Sequence, residues 1–389
     1  VRLLYISTGA VPSRWAHSFQ SMKMAEALSR QVSDLELLTT GSLLHSPIHD
    51  VPLRTWYGLR DSFRVVRLPV HWRLRDPFIT RVSNPRFDRA AVAYARWHRP
   101  DLVVARSPEA GIGCARAGIP TILEYHSVHK VGVHQPAFDP IAAIAQRNSL
   151  LGLVTVTEYL REQYAGLGVP EDKLMVWPDA VDPAVFDQAP SRVEARRSFG
   201  LPEDAPVAVY CGHFYPEKGV DHLIDAAAKA PEVTFCLVGG TPKDTARLRG
   251  LAAAARNVRF EGFVPNRLVP SYLSAANLVV IPSSGRFEHA RAASPLKLFE
   301  SMAAGRPIVA TRVPALETWL QHRENAWLVD PDSGGALAEG VLALTRDEEL
   351  SRRLADQARL DVAPYTWERR AREILARFAG GKSMHGAGA

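Results

Sequence analysis

Cysteine is scarce in this chain: three in 389 residues, at Cys114, Cys211 and Cys236. They are isolated and two lie in apolar, strand-like runs. Neither a disulfide framework nor a cysteine metal site is indicated, and buried free thiols in a reducing cytoplasm are the expectation. No apolar run approaches the roughly 18 residues a membrane-spanning helix needs. The opening Val1-Arg-Leu-Leu-Tyr-Ile-Ser7 is short and strand-like, unlike a secretory leader. No His-Glu-x-x-His or Gly-x-Ser-x-Gly run argues for a hydrolase, and no Gly-x-Gly-x-x-Gly follows the first strand, which argues against NAD. No Asp-x-Asp loop is expected to hold a divalent metal, and no residue is assigned as a metal ligand.

What is present is an ordinary globular composition, 47% hydrophobic and 23% charged. At this length two domains are the default. The net charge of +6 is uneven. Eleven arginines lie between Arg54 and Arg99 against Asp61, Asp76 and Asp88, interleaved with Trp56, Tyr57, Phe63, Trp72, Phe78 and Trp97. Two readings stay open: a solvated arginine-rich surface, or a peripheral contact with anionic lipid headgroups or an anionic lipid-linked molecule. No recognition motif accompanies the charge, so nucleic acid is not an expected partner.

The chain alternates between strand and helix patterns. A strand at 3–7, a loop, helical spacing at Met22, Ala25 and Leu28, and a strand at 35–39 open a doubly wound α/β pattern. Further strands are predicted at 63–68, 101–105, 120–124 and 153–156. The run 175–186, with two prolines and no period, reads as a linker. A second cycle has strands at 207–212, 233–238, 258–260, 278–281 and 326–329. A helix at 365–378 ends the fold, and the Gly-rich 379–389 reads as a disordered tail.

The most informative stretch runs from Ser294 to Thr311. Ser294 is a good N-cap and Pro295 suits the first helical position. Gly305 and Pro307 close the helix, and Ile308-Val-Ala310 fits a buried parallel strand. The start of such a helix is an anion site, because its amides lack intrahelical acceptors and the dipole is positive there. Lys297 in the first turn opposes that dipole, so its presence points to an anion. Glu300 lies one turn deeper, where a carboxylate suits ribose hydroxyls. Upstream, Gly212-His-Phe-Tyr-Pro-Glu-Lys-Gly219 forms a strand-to-helix turn carrying Lys218, a sound counter-charge for a diphosphate. Taken alone, Lys218 is also readable as a surface lysine beside a turn. His126, in Glu124-Tyr-His126, falls at the carboxyl edge of a strand, where α/β proteins bind ligands; His129 and His134 are nearby reserves.

Pro282-Ser283 and Phe299-Glu-Ser-Met-Ala-Ala-Gly-Arg-Pro-Ile-Val-Ala-Thr311 resemble the donor site of the retaining family 4 glycosyltransferases, and Ser-Pro-Leu-Lys-Leu-Phe-Glu300 resembles a bacterial variant of it. The resemblance covers most of residues 3–378. It implies an α/β chain of the GT-B fold, with two Rossmann-like doubly wound domains facing a central cleft. The expected division is 1–175 on the acceptor side and 176–364 on the nucleotide-sugar side, with the helix 365–378 crossing back to the first domain. The implied reaction is retaining transfer of a sugar from a nucleotide diphosphate sugar to a hydroxyl, in polysaccharide or glycolipid assembly, without metal or other cofactor. The implied acceptor is a glycan or lipid-linked molecule, and the location cytoplasmic, on the inner face of the plasma membrane if 54–99 meets lipid.

Residue by residue, the resemblance assigns Lys218 and the amides of Leu296 and Lys297 to the diphosphate, with Ser294 at their cap and Arg14 and His213 as further contacts. His213 stands where the family has arginine. Glu300 falls on the ribose and His126 on the sugar. Gly262 and Val264 match a segment whose backbone contacts the base, and Ser283 adds polar contacts. Ala292 stands where the family places a first glutamate, eight residues before Glu300; Glu288 has the wrong spacing for it. That departure keeps a second class open, a GT-B protein that binds a nucleotide or partner without transfer. A non-hydrolysing sugar-nucleotide epimerase is a third.

Overall fold

The structure is a computed structural model that describes residues 1–41, 51–69, 85–126, 141–286 and 290–380. The chain divides into two compact units. The first comprises Val1–Asp179, Ala292–Ser294 and the chain from Trp367 onward; the second comprises Ala180–Arg291 and Pro295–Thr366.

The first unit is built on seven parallel strands: β1 (Arg2–Ile6), β2 (Asp34–Thr40), β3 (Arg64–Leu68), β4 (Leu102–Ala105), β5 (Thr121–Tyr125), β6 (Leu150–Thr155) and β7 (Leu174–Val176). Their order is β3-β2-β1-β4-β5-β6-β7. Leu3 is in register with both Leu35 and Leu102, so the apolar runs line up across the sheet centre. β4 and β5 are buried on both faces, as parallel strands under helices must be. One core packs Leu4, Ile6, Val103 and Leu123 against Phe87 and Ala91 of the helix Pro85–His98 and Ile112 of the helix Pro108–Arg116.

The second unit repeats the plan with six parallel strands: β8 (Val207–Cys211), β9 (Thr234–Val238), β10 (Val258–Gly262), β11 (Leu278–Ile281), β12 (Ile308–Thr311) and β13 (Trp327–Val329), ordered β10-β9-β8-β11-β12-β13. Strand order reverses between β1 and β4 in one sheet and between β8 and β11 in the other. Each carboxyl edge there is the switch point at which open α/β sheets bind ligands. Local sequence sets the helix starts. Ser191 with Glu194, and Thr241 with Asp244, form reciprocal capping boxes.

Several expectations are corrected. The domain boundary falls at 179/180 rather than 175/176, because Trp177 and Asp179 are tied into the first unit: Trp177 Nε1 donates to Glu373 at 2.9 Å, and Asp179 Oδ2 accepts from Gln20 Nε2 at 2.6 Å. The run 175–186 is more than a linker, since it holds part of β7 and a short helix, Pro183–Asp187. The first long helix starts at Ala16, ahead of the apolar spacing that begins at Met22, and carries His17, Ser18 and Gln20 among its first five residues. The last helix spans Trp367–Ala379 and packs within the first unit against the helix Ala16–Ser29. The tail after 380 lies outside the described residues. Cys114 and Cys236 are buried free thiols, each pushed up to about 12 by burial. Among the described residues no helix is long and apolar enough to cross a membrane.

The arginine-rich stretch 54–99 is not one surface. Trp56 and Tyr57 are buried, and both grip the first loop: Trp56 Nε1 donates to Ser13 O at 3.1 Å, and Ser13 N–H donates to Tyr57 Oη at 2.8 Å. Arg64 pairs with Glu36 at 2.6 Å, and Arg67 Nε donates to Val11 O at 3.0 Å. Trp72, Phe78, Arg73, Arg75 and Arg81 lie outside the described residues. Arg54, Arg60, Arg64, Arg67 and Arg99 are exposed, and one side of the helix Pro85–His98 adds exposed Arg86, Arg89 and Arg96 with Trp97 86% exposed.

Candidate functional site

In the second unit three loops converge at the carboxyl edges of β8, β9 and β11. The turn after β8 ends at Gly219, whose φ is +66. A Cβ there would stand 1.8 Å from the Pro282 carbonyl oxygen, so only glycine lets the turn lie against the end of β11. Ser284 N–H donates to Glu217 O at 3.1 Å across the same seam. Gly239 touches Gly212 equally closely, with an added Cβ only 2.0 Å from Gly212 O, and its N–H donates to Gly262 O at 2.7 Å. Gly262 and half-buried Val264 thus sit beside this edge, at the end of β10. Ser283 is held through its carbonyl, which accepts from Thr311 Oγ1 at 2.7 Å.

The helix Leu296–Ala303 enters this edge with Lys297 in its first turn. Its N-cap residue is Pro295 and no side chain caps it, so its opening amides have no capping side chain to accept from them. This corrects the assignment of Ser294 as the cap. Ser294 belongs to the first unit, where its Oγ accepts from Asp179 N–H at 2.9 Å.

Lys297 is braced by an aromatic residue that sequence reasoning missed. Its Nζ donates to Tyr210 Oη at 3.1 Å and lies 4.6 Å from the centre of the same ring. Tyr210 Oη in turn donates to His213 O at 2.6 Å. Burial, then the neighbouring Lys218, push the Lys297 ammonium down to about 7. Lys218 is itself lowered by burial. His213, stacked on Tyr215 at 5.1 Å, is lowered by burial and then by Lys297 and Lys218. These shifts describe one cationic cluster whose members repel each other, the electrostatics of a site built for an anion. Glu300 follows one turn along the helix, half-buried, close enough to Cys211 to help burial raise that thiol. The structure therefore brings together His213, Lys218, Leu296, Lys297 and Glu300, with Ser283 and Gly262 on the same edge.

An Asp-x-Asp run does occur, at Asp330-Pro331-Asp332. Asp332 Oδ2 accepts from Gly285 N–H at 3.2 Å, and its Oδ1 lies 3.3 Å from His222 Nε2. Its visible work is to anchor the loop after β11. Among the described residues no group of three or more His, Cys, Asp or Glu is placed to hold a metal.

In the first unit His126 closes β5 with its imidazole between two carboxylates. Nε2 is 2.5 Å from Glu124 Oε1, and Nδ1 is 3.7 Å from Asp179 Oδ1. Burial alone would raise the Glu124 carboxyl, but Arg370 and then His126 outweigh it and hold it well below the usual carboxylate range. Arg106 donates to Gln20 Oε1 and, at 2.6 Å, to His17 O. His17 is pushed down to about 4 by burial, then by Arg106 and His126. Arg14 lies exposed on the loop after β1. Ala292 is 5% exposed and packs with Val156 and Leu160, so the place of the family's first glutamate is apolar here. Glu288, His129 and His134 lie outside the described residues.

Both units match known families. Residues 22–185 match the family described as Glycosyltransferase Family 4, and residues 191–361 match Glycosyl transferases group 1. The alpha-D-kanosaminyltransferase of Streptomyces kanamyceticus is 27% identical over 267 residues, 64% of this chain and 67% of that one. Among solved structures, sucrose-phosphate synthase from Thermosynechococcus elongatus superposes with a TM-score of 0.74 at 23% identity, over 98% of this chain and 100% of that one. Anabaena HepE, solved with UDP and glucose, gives 0.70 at 17% identity over 96% and 99%. Two parallel Rossmann-like sheets with these neighbours define the GT-B fold, and the two family matches, one in each half of the chain, support a place among the GT-B glycosyltransferase families. The chain spans between about half and two thirds of the length of the curated relatives it matches.

Proposed function

We propose that this protein is a retaining glycosyltransferase that moves a sugar from a nucleotide diphosphate sugar to a hydroxyl acceptor. The observation that carries the reading is the lysine cluster at the β8/β11 switch point, Lys218 with Lys297 braced on Tyr210, beside the uncapped start of the helix Leu296–Ala303. In this mechanism the diphosphate lies on those ammonium groups and the opening amides, and the lysines supply the positive charge without a metal. Glu300 holds the ribose and the 262–264 backbone meets the base. His126 orients the sugar. As the bond to the sugar lengthens, charge grows on the leaving oxygen and the lysines stabilise it. The acceptor hydroxyl attacks from the same face, and its proton passes to that oxygen. The protein contributes positioning and charge rather than a general base.

The acceptor is assigned as a glycan or lipid-linked molecule, met at the cytoplasmic face of a membrane. The exposed Arg86, Arg89, Arg96 and Trp97 on one helix support that assignment, since a basic face with a tryptophan suits anionic headgroups. One observation favours a second reading, binding without transfer: Ala292 is packed in an apolar cluster where the family carries a carboxylate. Incubating the protein with the nucleotide sugar it binds, with and without glycan acceptors, separates the two. Nucleotide release that depends on acceptor supports transfer. Tight binding with no release supports the second reading, and an epimerised donor would point to a third activity.

A further inference from the structure

The helix Trp367–Ala379 carries an arginine, Arg370, that is 0% exposed. A buried guanidinium persists only when its donors are matched. Nε donates to Pro178 O at 2.9 Å, Nη1 to Met24 Sδ at 3.3 Å, and Nη2 to Glu124 Oε1 at 3.0 Å. That same Glu124 oxygen meets His126 Nε2 at 2.5 Å. Glu124 Oε2 and Asp179 Oδ1 are buried and have no hydrogen-bond partner. His126 is thus the group between two acidic oxygens, one bonded to it and one still short of a donor. Its side chain is 16% exposed, so it also keeps an opening to solvent or ligand.

A neutral imidazole has one N–H to give. Distance awards it to Glu124, at 2.5 Å, over Asp179, at 3.7 Å. That preference needs Glu124 to be the stronger acceptor, which a carboxylate beside a guanidinium is and a protonated carboxyl is not. We propose that Arg370 is a positioning residue: by holding Glu124 as a carboxylate it fixes the His126 ring with the proton on Nε2 and leaves Nδ1 facing Asp179. Seating the last helix then sets the state of a residue 244 positions earlier in the chain (370 − 126). The charged and titratable groups around the ring are Glu124 on β5, Asp179 after β7, Arg106 after β4, His17 on the first helix and Arg370 on the last. The role in sugar transfer rests on the reading above; the state of the ring does not.

The test is nitrogen-15 NMR of the His126 ring in the full-length protein, comparing wild type with Arg370→Gln, Glu124→Gln and the double variant. The wild type is expected to show a protonated-type signal at Nε2 and an unprotonated-type signal at Nδ1. Each single variant weakens Glu124 as an acceptor, so the signals exchange toward Nδ1–H on Asp179. The double variant shows no further change, because both act through one link. Arg370→Lys keeps the charge and restores the wild-type pattern. A wild-type pattern in Arg370→Gln, additive effects, or Nδ1–H already in the wild type each overturn the proposal. If Arg370→Gln does not fold, Glu124→Gln and Arg370→Lys decide it: an unchanged ring in the first or an exchanged one in the second overturns it. A nucleotide-induced thermal shift of the wild type is the separate arm. Its absence would count against the transferase reading and leave the assignment of the ring standing.

Discussion

Lys297 makes donor binding sensitive to pH in a direction that can be worked out. Burial and the Lys218 charge bring its ammonium from 10.5 down to about 7 in the unliganded protein. A diphosphate laid on the cluster supplies the missing counter-charge and raises it again, so binding takes up a proton wherever the free protein has lost one. Affinity is then full below pH 7 and falls by roughly tenfold per unit above it. Between pH 6 and pH 9 the loss is about 100-fold, close to 2.7 kcal/mol at about 1.36 kcal/mol per unit. A nucleotide diphosphate sugar has no phosphate that titrates in this range, so the ligand does not obscure the effect. Unliganded stability runs the other way. With the folded value depressed, the unfolded chain binds more protons between about 7 and 10.5, so this group favours folding more as pH rises through that window. The assay is titration calorimetry from pH 6 to 9 in buffers of differing ionisation enthalpy, which counts the protons taken up. Lys297→Met should bind weakly at every pH, with no proton uptake. Wild-type affinity that stays level across the range, with no uptake, would refute the placement of the diphosphate on Lys297.

Lys218→Ala and Glu300→Ala should each remove most donor-dependent activity. Loss of one charge-assisted contact of about 1.5–3 kcal/mol corresponds to a roughly 10- to 150-fold weaker donor; wild-type turnover in either defeats the site assignment. Gly219→Ala forces a Cβ onto the Pro282 carbonyl at a φ of +66, so the turn must move. It should lower the melting temperature and abolish the nucleotide-induced shift, and a variant with unchanged binding would show that the seam does not set the site. Reversing Arg86, Arg89 and Arg96 to Glu should abolish binding to anionic vesicles, and wild-type binding should weaken as salt rises. Salt-independent sedimentation with vesicles would remove the membrane contact from the account.

The strand framework was legible because parallel strands buried on both faces leave continuous apolar runs, such as Leu278-Val-Val-Ile281 and Ile308-Val-Ala310. Lys297 and Glu300 were legible because a cation in the first turn of a helix contradicts the dipole and asks for a reason. What escaped were contacts between distant residues. Nothing local marks Tyr210 as the brace for a lysine 87 positions on, or Arg370 as the partner of Glu124 at a separation of 246. Ser294 has every local property of a cap, yet its hydroxyl accepts from the Asp179 N–H, 115 positions earlier in the chain and in the same unit, a tertiary choice that overrides propensity. Trp56 and Tyr57 sat in a basic stretch that composition read as surface. Their hydrogen bonds to Ser13 turn them inward and leave Trp97 as the exposed aromatic of the described part.

The central claim is that the second unit holds a nucleotide diphosphate on Lys218 and Lys297. The most direct measurement is a thermal-shift series with nucleoside diphosphates and nucleotide sugars on the wild type and on Lys218→Ala. The account predicts a rise with one base that grows with concentration, about 2.7 kcal/mol at 100 times the dissociation constant, and that is lost in the variant. No rise with any nucleotide, or the same rise in Lys218→Ala, would contradict it.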